Sequence, residues 1–277
     1  MSRPFYLAIE GVIGVGKTTL ARLLQPRFDA DLLLEVFEEN PFLSDFYADR
    51  ERYAFQTQVF FLLSRYRHQQ SLRLNQRPLV ADYTFAKDRL FACLNLHGDE
   101  RTMYERVHHA LAEKITLPDL VVYLQANLEV LLARIATRDR PYERGMDPAY
   151  IDSVRRAYEE HFAHYDATPL LVINTDGLDF VRNPQDLAYL EGLIRNALGA
   201  AEVRARVEVL AEETAAAGSR RWPLVEDFLT LTEAVGALGA SLSADPEGSS
   251  PAFRQALTTS RSCLRRIERQ VGNIRRA

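Results

Sequence analysis

The sequence predicts an α/β protein: a five-stranded parallel sheet flanked by helices, with an extra helical segment at its C-terminal end. Three observations predict it. Short apolar runs alternate with stretches of helical periodicity over the first two thirds of the chain. Strands alternating with helices imply a parallel sheet covered on both faces, and the runs are mostly apolar as such strands are. Beyond about residue 198 strand-like runs stop and the sequence becomes alanine- and glutamate-rich, then arginine-rich.

Taken in order, Phe5–Glu10 reads as the first strand, followed by a glycine-rich turn and a helix from Lys17. Asp31–Val36 reads as a second strand with Glu35 near its end. Asn40-Pro41 signals a helix start, since proline suits a first turn where its missing N–H is not needed. Residues 54–74 form a long helix, and Pro78–Asp82 a third strand ending in a carboxylate. Helices follow over Phe85–Leu96 and Glu100–Lys114. Leu120–Gln125 is a fourth strand, Leu128–Thr137 a helix and Leu170–Asn174 a fifth strand. In the tail, 201–217, 223–242 and 253–276 read as helices, with a loop over 243–251. The expected division is a domain over 1–198 and an extension over 199–277.

Composition narrows the functions. The chain has 277 residues, 47% hydrophobic and 26% charged, an ordinary soluble balance. Its net charge of −4 gives no global basic field, which argues against a nucleic-acid-coating role. The arginine-rich stretch 261–276 is one local basic face, open between contact with RNA, a partner or an acidic patch and simple packing as a helical hairpin. Cys93 and Cys263 have no metal-ligand spacing and fit a reducing compartment. With no signal-peptide pattern and no apolar run of about 20 residues, a cytoplasmic protein without membrane contact is expected. Of the 34 basic residues only Lys17, Lys87 and Lys114 are lysines.

Gly11–Thr18 matches G-x-x-x-x-G-K-T between a strand and a helix, the context of a phosphate-binding P-loop, and so predicts a P-loop NTPase fold. Glycines let successive N–H groups face phosphate oxygens, and the helix N-terminus adds positive charge. Gly11, Gly14, Val15, Gly16, Lys17, Thr18 and Thr19 are the expected nucleotide-binding residues. Lys17 reaches the β/γ-phosphates and Thr18 ligates Mg²⁺. Position alone leaves Glu35 open between a catalytic base and a solvated strand-end glutamate. It leaves Asp82 open between a Mg²⁺ carboxylate and a helix N-cap. Arg134, Arg138, Arg140 and Arg144 cluster at a helix end around Pro141 and Gly145, the pattern of a lid that closes over transferring phosphates, favoured over an exposed basic loop pairing with Asp139 and Glu143.

Five stretches then converge: IEGVIGVGKTTLA (9–21), EVFEENPFL (35–43), RYAFQTQVFFLLSRYRHQ (52–69), DYTFAKDRLFA (82–92) and RIATRDRPYERG (134–145). Together they resemble the deoxyribonucleoside kinases, especially the bacterial deoxyguanosine and deoxyadenosine kinases, over about residues 1–198. The resemblance implies ATP and Mg²⁺ as cofactors and a purine deoxynucleoside as substrate, with deoxycytidine a further option. It implies Glu35 as the base for the 5′-hydroxyl, and Tyr47 and Glu143 on the sugar 3′-hydroxyl. Gln58, favoured over Gln56 by counting from Tyr47 and Arg52, would pair with the base edge. Arg65 and Asp88 would discriminate bases, Phe55 and Phe91 would pack on the base, and Phe60 and Phe61 would belong to the core. Arg134, Arg138 and Arg140 are the implied lid arginines, Arg134 and Arg138 also touching ATP. A homodimer is implied as well. One departure stands out: Tyr83 follows Asp82 where many members carry an arginine, whose role would pass to a lid arginine or be lost. Competing readings are a nucleoside monophosphate kinase resembling thymidylate kinase, and a nucleotide-binding regulatory subunit.

Overall fold

A computed structural model describes residues 4–70, 77–216, 227, 230–231, 233–239 and 250–274. Strands β1 (Tyr6–Gly11), β2 (Asp31–Leu33), β3 (Leu79–Ala81), β4 (Leu120–Gln125) and β5 (Leu170–Asn174) form one sheet in the order β2-β3-β1-β4-β5. Every pairing is parallel; Ala8, for example, lies beside Ala81 on one side and Val121 on the other. All six residues of β1 and all three of β3 are buried, which explains their apolar character, broken in β1 only by Glu10.

Helices α1 (Lys17–Phe28), α2 (Leu43–Ala48), α3 (Arg50–Gln70), α4 (Lys87–Asn95), α5 (Gly98–Ala112), α6 (Leu128–Arg138), α7 (Pro148–Ala163) and α8 (Pro184–Ala216) supply the connections. Between β3 and β4 the chain crosses from one side of β1 to the other. The glycine-rich turn leaves β1 at that reversal, where parallel sheets place their ligands.

Several sequence expectations are corrected. β2 ends at Leu33, because its partner β3 ends at Ala81, so Glu35 lies just past the strand rather than at its end. The helix expected at Asn40-Pro41 starts at Leu43: the Asn40 side chain first accepts the Phe42 N–H at 3.0 Å and closes a turn. Helix α7 went unread, although Asp147 caps it through the Ala149 N–H and Pro148 opens it. The expected end of α3 over 71–74 and the tail loop over 243–249 lie outside the described residues.

The chain divides into two compact units, Met1–Ile194 and Arg195–Ala277, the division falling within α8. In the second unit the described residues are mostly helical, with α9 over Pro251–Ile274. Ala256, Ser260 and Cys263 bury one face of α9, and Arg266 bonds Asp227. Among the described residues no helix is long and apolar enough to cross a membrane.

Candidate active site

The turn after β1 is shaped for anions. Gly11 and Gly16 hold φ of +145° and +107°, and a Cβ on Gly16 would come within 2.8 Å of the Phe180 ring. Gly16 also precedes α1 without a side chain to cap it, which leaves first-turn N–H groups open to a ligand. Lys17 lies across the loop, its Nζ donating to the carbonyls of Gly11 at 2.7 Å and Val12 at 3.0 Å. Burial, with the nearby Lys87 charge, lowers the Lys17 ammonium to about 8.

Asp82, directly after β3, links the two halves of the site. Its Oδ2 accepts the Thr18 hydroxyl at 2.5 Å and its Oδ1 the Glu35 N–H at 2.8 Å. Burial, then the Glu35 charge, raises the Asp82 carboxyl. The hydroxyl and carboxylate side by side form a hard-oxygen pair suited to Mg²⁺, which takes few protein ligands and completes its shell with phosphates and water.

The Glu35 carboxylate sits between two buried cations. Oε1 accepts from Nε of Arg65 at 3.1 Å and also from its Nη2; Oε2 accepts from Lys87 at 2.6 Å. Burial works to raise this carboxyl, but Arg65 and Lys87 overcome it and hold it well below the usual carboxylate range. Arg65 reaches the other way to Asp88, which is fully buried. Burial pushes Asp88 up to about 7 against the pull of Arg65.

A cleft of about 790 Å³, part of it open to solvent, joins these groups. It is lined by Lys17, Thr18, Glu35, Tyr47, Gln58, Arg65, Asp82, Phe91, Arg138, Arg140 and Glu143, which the sequence singled out. Asp88 is brought in behind Arg65. Gln58 is buried, with its Oε1 unpartnered, whereas Gln56 is exposed. At about 100° per residue, Thr57, Gln58, Phe61 and Arg65 share one stripe of α3, and Phe55 and Gln56 fall outside it. That corrects the aromatic assignment: Phe61 lines the cleft, 4.8 Å from the Arg65 guanidinium, and Phe55 does not.

The arginine-rich segment also divides. Asp139 ends α6 at φ +48°, turning the chain back over the cleft. Arg138 grips Glu143 with two hydrogen bonds, at 2.6 and 3.0 Å, and Arg140 lies over Phe37. Tyr142 stacks on Tyr47 with centroids 6.1 Å apart. Arg134 lies off the cleft, donating to the carbonyls of Val15, Thr175 and Leu178 and to the Thr175 hydroxyl. Arg144 pairs with Asp139 on the exposed side.

Sequence reasoning missed Lys87 and Glu10. The scarcity of lysine pointed to the first. A carboxylate inside an apolar strand pointed to the second, which is 1% exposed and binds Thr84, Gly11 and Tyr158.

Comparison with known proteins agrees with this geometry. Residues 7–196 match the family model for deoxynucleoside kinase. The chain is 33% identical over 199 residues to a deoxyguanosine kinase of Bacillus subtilis, covering 69% of this chain and 96% of that protein. It is 29% identical over 191 residues to a deoxyadenosine/deoxycytidine kinase of the same organism, covering 65% and 87%. A deoxyadenosine kinase structure from M. mycoides, with dCMP and a flexible dCDP as products, superposes with a TM-score of 0.59 at 23% identity over 69% of this chain and 98% of that one. Together, the phosphate-binding turn, the Glu35–Asp82 cleft and the family match over most of the first unit place this chain in the deoxynucleoside kinase family.

Proposed function

We propose that this chain transfers the γ-phosphate of ATP to the 5′-hydroxyl of a purine deoxynucleoside, deoxyadenosine or deoxyguanosine, with deoxycytidine as a weaker substrate. The observation that carries the reading is an ionised, doubly held Glu35 in one cleft with the phosphate-binding turn, tied to Thr18 through Asp82.

In this reading the backbone of 11–19 and Lys17 hold the triphosphate, and Thr18 and Asp82 hold Mg²⁺. The metal, when bound, supplies charge neutralisation at the phosphate oxygens. Glu35 takes the proton of the 5′-hydroxyl as that oxygen bonds to the γ-phosphorus. The bond to ADP breaks with its electron pair on ADP. Arg138 and Arg140 stabilise charge on the phosphoryl group. Arg134 stays a residue of the ATP side, where it bonds the Val15 carbonyl. Tyr47 and Glu143 hold the sugar. The unpartnered Oε1 of Gln58 is an acceptor for a base N–H, its amide a donor, and Arg65 and Phe91 line the same cleft, with Asp88 holding Arg65 from behind. The deoxyguanosine and deoxyadenosine kinase relatives support the purine preference.

A monophosphate kinase needs a cation free for the substrate's own phosphate. Arg65 and Lys87 are both engaged by carboxylates, which favours the nucleoside as acceptor. The same reading makes 1–198 the kinase domain and 199–277 an appended helical segment of separate role. The protein works as a cytoplasmic homodimer, with Leu63 on α3 and Met103 and Val107 on α5 as exposed apolar groups that support pairing. The test is turnover with four deoxynucleosides and their monophosphates. The largest kcat/KM should fall on deoxyadenosine or deoxyguanosine; turnover of monophosphates alone, or of none, overturns the reading.

A further inference from the structure

We infer that Lys87 aims the Glu35 carboxylate at the attacking hydroxyl, making it the positioning residue of this site. The inference rests on the function proposed above and goes beyond it in assigning a role to a residue outside the phosphate-binding turn and the lid.

A carboxylate offers about four acceptor positions on its two oxygens. Arg65 takes two on Oε1, through Nε and Nη2. Lys87 takes one on Oε2, at 2.6 Å. The remaining position lies on Oε2, the oxygen that Lys87 alone holds. The rotation of the carboxylate that presents this lone pair is therefore set by the ammonium. Arg65 without Lys87 fixes only the far oxygen.

The setting supports a working role. Lys87 is 7% exposed, lines the cleft and lies 5.6 Å from the Phe91 ring, so a buried ammonium is kept beside the acceptor end. It has three N–H donors, and its bond to Glu35 uses one. Lys17 of the phosphate-binding turn lines the same cleft, and the Lys87 charge helps to lower the Lys17 ammonium. Composition adds an independent argument. In a chain where 31 of 34 basic residues are arginine, two of the three lysines, Lys17 and Lys87, stand in this cleft, and Lys114 is exposed. A compact ammonium fits beside Oε2, where a planar fork would compete with Arg65 for the same carboxylate.

The experiment compares wild type, K87M and K87R in steady-state phosphorylation of the best deoxynucleoside from the panel. K87M should lower kcat by about 10²–10³-fold with the nucleoside KM changed less than about threefold, because aim is lost and grip is kept. K87R should recover at least about tenfold of that loss, since a cation is restored in imperfect geometry. A K87M enzyme within about threefold of wild-type kcat overturns the inference. So does a K87M loss that appears equally in KM and that K87R does not relieve, the pattern of a merely structural lysine. A double-mutant cycle of E35Q and K87M in urea unfolding reads the pair without turnover, and additive effects overturn the pairing. Absence of activity in wild type would refute the proposed function, and the unfolding cycle would still decide the Lys87–Glu35 coupling.

Discussion

The Glu10 carboxylate accepts both the backbone N–H and the hydroxyl of Thr84, at 2.6 and 2.9 Å, while its second oxygen takes the Gly11 N–H and the Tyr158 hydroxyl. One buried side chain thus ties the exit of β1 to the β3–α4 turn and to α7. Glu10→Gln puts an amide donor among donors and leaves at least one of them unpaired. Urea unfolding should show a loss of about 2–4 kcal/mol, and no loss would mean that the turn holds itself.

In the proposed reading, Glu35→Gln keeps the shape of the proton acceptor and removes its proton affinity. Turnover should fall by about 10²–10⁴-fold while nucleoside affinity, read by calorimetry, stays within a few-fold. Wild-type turnover in this variant would take Glu35 out of the reaction.

Gly16→Ala strains a left-handed position by about 1–2 kcal/mol and drives a methyl into Phe180, 2.8 Å away. A lower melting temperature and lost ATP binding are expected together. Gly145→Ala, where an added methyl meets nothing within 4 Å, is the control and should match wild type in melting temperature.

Asp88 gives a pH signature. Its folded value of about 7 lies above the ordinary 3.8, so between those values the folded state holds more protons than the unfolded one. Its contribution to stability is therefore full below about 3.8, falls as pH rises through that window, and is gone above about 7. Asp88→Asn should flatten the decline in unfolding free energy between pH 5 and pH 8. An unchanged slope would show that Arg65 keeps this carboxyl ionised throughout.

Gln58→Ala removes the amide from the base end and should raise the purine nucleoside KM about 10-fold or more, whereas Gln56→Ala, on the exposed side of α3, should leave it unchanged. Equal effects of the two would detach the base from this face of the helix.

The sheet was legible where apolar runs coincide with pairing, as in β1, β4 and β5. It was over-read at β2, because Leu34 and Val36 are apolar but have no β3 residue left to pair with. Helix α7 escaped because tyrosines 150 and 158 carry much of its buried face beside Ile151, Val154 and Phe162. The phosphate-binding turn was readable because its chemistry lies in consecutive residues. The cations on Glu35 come from 30 and 52 residues away, on α3 and α4, and only the folded chain brings them together.

The Arg65 guanidinium has a carboxylate on either hand, Glu35 in the cleft and Asp88 fully buried behind it. In the proposed reading, a purine that displaces Arg65 loosens the same fork that steadies the proton acceptor. Selectivity built this way surfaces as slowed chemistry on ill-fitting nucleosides that still dock, so a poor substrate for this kinase is also a competent blocker of a good one.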